Sequence, residues 1–278
     1  MSHIPSVALN NGVLIPQLGF GLYKVPGEDV ANLVPAAVDA GYRHFDTAAM
    51  YGNELALGRA LGAQLEDGSL SREDFFITSK VWNDQQGYDA TLRSFDDSMI
   101  ALGLDVLDLY LIHWPVAGRG LYLETYRALE TLYREGRVRA IGVSNFQVDH
   151  LERVLEERDV VPAVNQVELH PWLQQRELRA FHAQHGITTE AWSPLARGAL
   201  LDDPVLANVA AKHGRSVAQI ALRWQIQKGI VVFPKASSAE RIRQNADLFG
   251  FSLDQEDLDR IAGLDRDFRS GSHPDQVK

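Results

Sequence analysis

Short apolar runs alternate with stretches of helical periodicity along the whole 278-residue chain. The runs fall at residues 18–21, 44–47, 75–80, 106–113, 138–143, 163–167, 187–192 and 230–234, and each reads as a strand. Ahead of them, the segment from Val7 to Ile15 reads as a β-hairpin, with Asn11-Gly12 supplying the positive φ angles of a tight turn. Helical spacing covers residues 28–40, 53–64, 88–102, 121–134, 148–157, 176–184, 216–227 and 239–248. Val217, Ile220, Ala221 and Trp224 mark one such face, and Ser216 with Gln219 makes a capping box. Gly41, Gly103, Gly136 and Gly186 each stand just past a helix, where a left-handed C-cap is easiest for glycine. Additional helices are expected at residues 205–212 and 255–263.

Strands apolar on both faces belong in a parallel sheet covered by helices. Eight strand–helix units in about 250 residues favour an α/β chain folded as a single closed (β/α)8 TIM barrel, with the N-terminal hairpin and the extra helices added. No linker, low-complexity tract or repeat divides residues 1–278, so one domain is expected. Such barrels carry their chemistry at the C-terminal strand ends. The polar residues collected there are Asp46, Lys80, His113, Ser144, Asn145, Gln166, Glu168, Glu190 and Lys235, with Tyr51 just beyond the second strand.

Composition narrows the chemistry. The chain has no cysteine, which removes disulfides, thiolate nucleophiles and cysteine-ligated metal clusters. A formal charge of −10 argues against nucleic acid as the main partner but permits a local basic pocket for a small phosphorylated ligand. The first 23 residues carry no Lys, Arg, Asp or Glu, yet Pro5, Asn10, Asn11, Gly12, Pro16 and Gln17 interrupt any apolar run. Neither a signal peptide nor a membrane span fits, and a soluble cytoplasmic monomer is the default expectation.

The segment from Gly41 to Glu54, with His44-Phe45-Asp46-Thr47 and Met50-Tyr51-Gly52-Asn53, closely resembles the first signature of the aldo-keto reductases. Thr78-Ser79-Lys80-Val81-Trp82, Leu111-Ile112-His113-Trp114-Pro115 and Gly142-Val143-Ser144-Asn145-Phe146 follow in that family's order. Asn165-Gln166-Val167-Glu168, Ala191-Trp192-Ser193-Pro194-Leu195 and Val232-Phe233-Pro234-Lys235 complete a match over nearly the whole chain. The compact loops look most like those of the bacterial diketogluconate reductases.

The resemblance implies a catalytic tetrad of Asp46, Tyr51, Lys80 and His113 that reduces aldehydes and ketones, with keto-sugars and dicarbonyls among the candidates. Tyr51 would be the general acid, but a free phenol, with a pKa near about 10, is a poor donor at neutral pH. Lys80 beside its oxygen is expected to lower that value. At about 4 Å and an effective dielectric of about 20, two unit charges interact by about 4 kcal/mol, and a two-unit shift needs only about 2.7 kcal/mol. Asp46 would keep Lys80 charged and oriented, and His113 would orient the substrate oxygen. Relatives that reduce steroid carbon–carbon double bonds carry glutamate at that position, so His113 points to C=O reduction.

No Gly-x-Gly-x-x-Gly motif is present, since Gly19-Phe20-Gly21 is followed by Leu22-Tyr23-Lys24. The resemblance instead implies NADPH laid across the barrel rim. Ser144, Asn145 and Gln166 would bind the nicotinamide carboxamide, Trp192 would stack on the ring, and Ser193, Pro194 and Leu195 would line the pyrophosphate. Gly21 and Leu22 would let the backbone approach the dinucleotide. Lys235 and Arg241 match positions that grip the adenosine 2′-phosphate, and Asn245 one that contacts adenine. Ala236 replaces a phosphate-binding serine of many members, with Ser237 or Ser238 placed to compensate, and Gln244 replaces a glutamate. A lost neutral hydroxyl bond is worth about 1 kcal/mol, so NADPH is still expected to be preferred over NADH, by a smaller margin.

Tyr23, Trp82 and Trp114 match positions that wall the substrate cleft. The short segment after Phe268 suggests an open pocket accepting several carbonyl compounds. Three rivals are weaker. A cofactor-binding regulatory subunit would keep the same residues, and the absence of an N-terminal extension weighs against it. A glycosidase using Glu168 and Glu190 leaves Tyr51, Lys80, Lys235 and Arg241 without work. A metal hydrolase lacks a His-x-His after the first strand, so no metal is expected.

Overall fold

The computed structural model describes residues 4–278. An antiparallel hairpin comes first, β1 (Ser6–Ala8) with β2 (Leu14–Pro16), in the register Val7 opposite Ile15. Its turn differs from the two-residue form expected. The Leu9 N–H donates to the Val13 carbonyl, and of the loop residues only Gly12 has positive φ, at 84°. Asn11 instead uses its side-chain oxygen to accept the Val13 N–H, so one left-handed residue suffices.

Eight parallel strands follow in strict chain order. They are β3 (Phe20–Gly21), β4 (His44–Asp46), β5 (Phe76–Val81), β6 (Leu107–Ile112), β7 (Val138–Ser144), β8 (Val164–Glu168), β9 (Thr188–Trp192) and β10 (Val231–Val232). The edges of this sheet meet. Leu18 bridges Val232 in parallel, the Gly19 N–H donates to the Val232 carbonyl at 2.9 Å, and the Val232 N–H donates to the Gln17 carbonyl at 3.0 Å.

The helices are α1 (Gly27–Asp39), α2 (Glu54–Leu65), α3 (Tyr88–Leu102), α4 (Tyr122–Arg134), α5 (Val148–Glu157), α6 (Arg176–His185), α7 (Pro204–His213), α8 (Val217–Gln227), α9 (Ala239–Ala246) and α10 (Gln255–Ala262). Each lies within two residues of its expected place. Ser216 caps α8 with Gln219, as the sequence predicts. Short 3-10 turns, which the periodicity does not reveal, occupy several loops, including Ala49–Tyr51.

Two apolar clusters explain where the polar site falls. The larger packs the outer strand faces against the helices and runs from Leu18 to Ile261. The smaller lies inside the curl of the sheet. It holds Phe76, Leu109, Leu111, Ala140, Val164, Val231 and Phe233, closed at one end by hairpin residues Leu9 and Ile15. Side chains two apart on a strand share a face. Lys80 therefore continues the row of Phe76 and Thr78, His113 that of Leu109 and Leu111, Ser144 that of Ala140, and Gln166 that of Val164. Along β5 to β8 the interior turns from apolar to polar toward the C-terminal ends.

Two buried histidines are built to stay neutral. His44 Nδ1 donates to the Pro16 carbonyl and its Nε2 accepts from Thr78 Oγ1; His182 Nδ1 donates to Thr189 Oγ1 and its Nε2 accepts from Asn165. Burial pushes both imidazoles down to about 3. The unfolded chain, with ordinary histidines near about 6.5, binds more protons than the folded one below that pH. Stability is therefore present above about pH 6.5 and is lost as pH falls toward 3, at about 1.4 kcal/mol per unit for each group. Urea denaturation between pH 6.5 and 4.5 should show this decline, and H182Q should make the slope shallower by up to one proton. An unchanged slope would remove His182 from the account.

Candidate active site

Asp46 ends β4 and Lys80 lies near the end of the adjacent β5, where Asp46 is opposite Thr78. Both are buried, and their side chains meet. Lys80 Nζ donates to both carboxylate oxygens of Asp46 at 2.7 Å and to the Thr47 carbonyl at 2.9 Å. Those three bonds use every proton of the ammonium.

Tyr51 ends the 3-10 turn that follows β4. Its ring centroid lies 5.2 Å from Lys80 Nζ, 5.6 Å from the His113 ring and 5.1 Å from the Tyr23 ring. Asn53 secures this turn: its amide donates to the carbonyls of Leu22 and Val25, and its oxygen accepts from Thr47 Oγ1. The loop after β3, carrying Tyr23, and the loop carrying Tyr51 are thereby tied together.

The expectation that Lys80 acidifies Tyr51 is corrected. Burial, with Asp46 and Tyr23 acting in the same direction, pushes the phenol well above its ordinary value. Lys80 is already neutralised by Asp46 and spends its protons elsewhere, so it offers the phenolate little. His113 is likewise fixed in its neutral form, held well below the usual range by burial and by Lys80. Its Nδ1 is buried without a partner among the described residues. A buried lone pair is tolerated better than a buried N–H, which places the proton on Nε2. The Trp82 ring packs edge-on against this imidazole with centroids 4.9 Å apart.

Ser144, Asn145 and Gln166 form a connected polar layer beside the tetrad. Ser144 Oγ donates to the Gln166 carbonyl at 2.7 Å, and Asn145, at φ 64°, donates its amide to the His113 carbonyl at 2.9 Å. Gln166 Nε2 donates to Asp46 Oδ2 and Glu190 Oε2, both at 2.9 Å. Trp192 Nε1 donates to Asn145 Oδ1 at 2.8 Å, and the Trp114 ring lies 6.4 Å from that of Trp192. Beyond β9, Ser193, Ala196 and Arg197 all have positive φ. Such left-handed backbone is costly away from glycine and collects at ligand sites, where it can turn successive N–H groups toward an anion. Pro194 and Leu195 lie within this turn.

The residues expected at the phosphate lie on the segment after β10 and on α9. Lys235 Nζ donates to the Lys24 carbonyl at 2.7 Å, drawing the segments after β10 and β3 together. Ser238 caps α9 by accepting the Arg241 N–H, and the Arg241 side chain is exposed. Ala236 and Asn245 are buried while Ser237 is exposed. Gly21 and Leu22 are buried, and Tyr23 is 40% exposed.

Two features escape the sequence reading. Glu168, a candidate glycosidase carboxylate, is consumed by structure: it accepts from the N–H and Oγ of Ser270, the Gly271 N–H and His170 Nε2. The segment after Phe268 thus returns to the site. Gly271 lies against Trp192 so closely that a Cβ there would sit 2.5 Å from the indole. The other feature is the role of Asn53, visible only as an asparagine beside Tyr51.

A buried cation–carboxylate pair, a phenol and an imidazole lie together at the C-terminal ends of a parallel α/β sheet, groups chemically able to pass a proton to an oxygen. Residues 17–266 match the Aldo/keto reductase family, and the chain belongs to that family. It is 51% identical to the uncharacterized oxidoreductase YtbE of Bacillus subtilis over 276 residues, 99% of this chain and 98% of that protein. It is also 51% identical to the glyoxal reductase of Bacillus subtilis over 273 residues, covering 98% and 97% of the two chains. Among solved structures, a mutant of Gox0644 in complex with NADPH superposes with a TM-score of 0.95 at 44% identity over 100% of both chains.

The ion pair yields a stability test. K80M leaves Asp46 buried and uncompensated, which should cost about 3–5 kcal/mol in denaturant unfolding. The double variant K80M/D46L removes both charges and should recover most of that loss. A double variant as unstable as the single one would show that charge pairing is not the cause.

Proposed function

We propose that this chain reduces small aldehydes and ketones, dicarbonyls and keto-sugars among them, with Asp46, Tyr51, Lys80 and His113 as its catalytic machinery. It is an NADPH-dependent oxidoreductase; when bound, NADPH supplies the hydride. The observation that carries the residue assignment is geometric: the Tyr51 ring lies 5.2 Å from Lys80 Nζ and 5.6 Å from the His113 ring, beside a cation already paired with Asp46 at 2.7 Å.

A neutral His113 donates its Nε2–H to the carbonyl oxygen and orients it. Tyr51 keeps its proton at neutral pH and releases it as negative charge develops on that oxygen, because an alkoxide is a far stronger base than a phenolate. The Asp46–Lys80 pair supplies a fixed dipole beneath both. Gln166 Oε1, which no donor among the described residues reaches, fits the amide hydrogens of a carboxamide, and the partly exposed Trp192 offers a face for stacking. Lys235 and Arg241, exposed cations beside the start of α9, suit a 2′-phosphate.

The edge-to-edge bridge from Leu18 to Val232 supports a closed (β/α)8 barrel, and the apolar cluster running from Leu18 to Ile261 supports a single domain. Among the described residues no helix is long and apolar enough to cross a membrane. A cytoplasmic monomer without a nucleic-acid partner is the reading consistent with the acidic charge. Bacterial relatives named as glyoxal reductase and as methylglyoxal reductase support small dicarbonyls as substrates.

NADPH consumption across aldehydes, dicarbonyls and keto-sugars tests the substrate class. Y51F should cut turnover about 100-fold or more while leaving NADPH affinity nearly intact; wild-type-like kcat would remove Tyr51 from its role. R241A should weaken NADPH far more than NADH in cofactor titrations, and equal losses would mean that Arg241 makes no contact with the 2′-phosphate.

A further inference from the structure

Glu190 has no part in the proton and hydride chemistry, yet it occupies the middle of β9 with no solvent exposure. Register places it directly beside Gln166 on β8. Its Oε2 accepts one N–H of the Gln166 amide at 2.9 Å, and the other N–H goes to Asp46 Oδ2 at 2.9 Å. Its Oε1 has no partner among the described residues. A buried carboxyl with an oxygen left over is costly, and an apolar residue would be easier to accommodate there. Such a position asks for an explanation beyond packing.

The geometry supplies one. An amide wedged between two carboxyl groups has one tolerable orientation. Rotated by half a turn, Gln166 would point its carbonyl oxygen at the oxygens of Asp46 and Glu190. In the orientation seen, both N–H bonds are spent inward and Oε1 is the only atom of the amide left to bond outward.

We propose that Glu190 is a positioning residue: it holds one N–H of Gln166 while Asp46 holds the other, so that the amide meets the cofactor solely as an acceptor for the carboxamide –NH2. This rests on the cofactor reading above. The groups facing Glu190 are Asp46 from β4, Lys80 from β5 and Gln166 from β8. Burial raises its carboxyl to about 8, with Asp46 adding to the rise and Gln166 and Lys80 opposing it. The group is therefore mostly neutral at pH 7, and the Asp46–Lys80 pair keeps its balance. A neutral carboxyl still accepts through its carbonyl oxygen, so the role needs an acceptor and not a charge.

The test compares NADPH with its 3-acetylpyridine analogue, in which a methyl group replaces the carboxamide –NH2. Dissociation constants are read by fluorescence for the wild type, E190Q, E190L and E190M. One hydrogen bond corresponds to about a tenfold preference for NADPH. The wild type and E190Q should show it, while E190L and E190M lose it with melting temperatures no lower than wild type. Retained discrimination in both apolar variants would overturn the proposal, as would its loss in E190Q to the same degree. Apolar variants that melt early or fail to fold would mark Glu190 as merely structural and would also overturn it. A wild type that binds NADPH without discriminating removes the contact; one that binds neither nucleotide fails the cofactor reading itself.

Discussion

The site depends on two opposite charges taken out of water on neighbouring strands. Neither Asp46 nor Lys80 could be ionised alone at that depth, since an isolated buried charge costs several kcal/mol. Together they survive because every proton of the ammonium is accepted and the carboxylate also receives a bond from Gln166. That requirement fixes more than the pair. Parallel pairing of β4 with β5 must hold its register, because a slip of one residue would turn either side chain to the opposite face. The loop carrying Tyr51 must stay near the end of β4, where Asn53 and the Thr47 carbonyl bind it to the same network.

Neutrality around this pair is the chemical consequence. A low-dielectric pocket that already contains a balanced pair resists any further charge, so Tyr51 is held protonated and His113 unprotonated by one cause acting on an acid and a base. A site with its proton still on the phenol and a free N–H on the imidazole can meet a carbonyl oxygen with two donors before any charge appears. In the reduction proposed above, negative charge would develop on the substrate at the moment when it can be quenched. An activated phenolate would have lost the proton in advance. On that proposal the pair serves less as an acidifier of Tyr51 than as a fixed dipole that excludes alternatives.

Much of this is legible in the residues. Period-two alternation places Lys80, His113, Ser144 and Gln166 at the polar ends of apolar rows, and the order of strands follows from alternation with helices. The register, and with it the meeting of Asp46 and Lys80, is set by contacts between residues 34 apart. The strand at residues 18–21 was legible as an apolar run, yet it keeps ladder pairing only at Phe20–Gly21, with Leu18 contributing a lone bridge. What strand spacing could not give was the competition for protons. Sequence names a lysine and a tyrosine near one another, but only the geometry shows that Asp46 and the Thr47 carbonyl have taken all three ammonium hydrogens. The hairpin turn fails for a similar reason. Asn11-Gly12 signals a turn, while the asparagine side chain, by capping Val13, changes which residues need positive φ.

The distribution of rigidity follows from the same layering. Residues of the polar layer sit on strands or one residue past a strand end and are bonded to one another, from Asp46 through Gln166 to Glu190 and from Ser144 to Asn145 and the His113 carbonyl. The aromatic residues proposed to wall the pocket are held differently: Tyr23 by loop contacts, Trp82 and Trp114 by ring packing, and Trp192 by a hydrogen bond to Asn145 on one side and the Gly271 backbone on the other. Glu168 clamps that last segment through three hydrogen bonds to its chain, so the indole is confined by a loop whose own anchor lies on β8. Chemistry that needs angstrom-level placement is thereby carried by the sheet, and the shape of the pocket by segments that can vary without disturbing it.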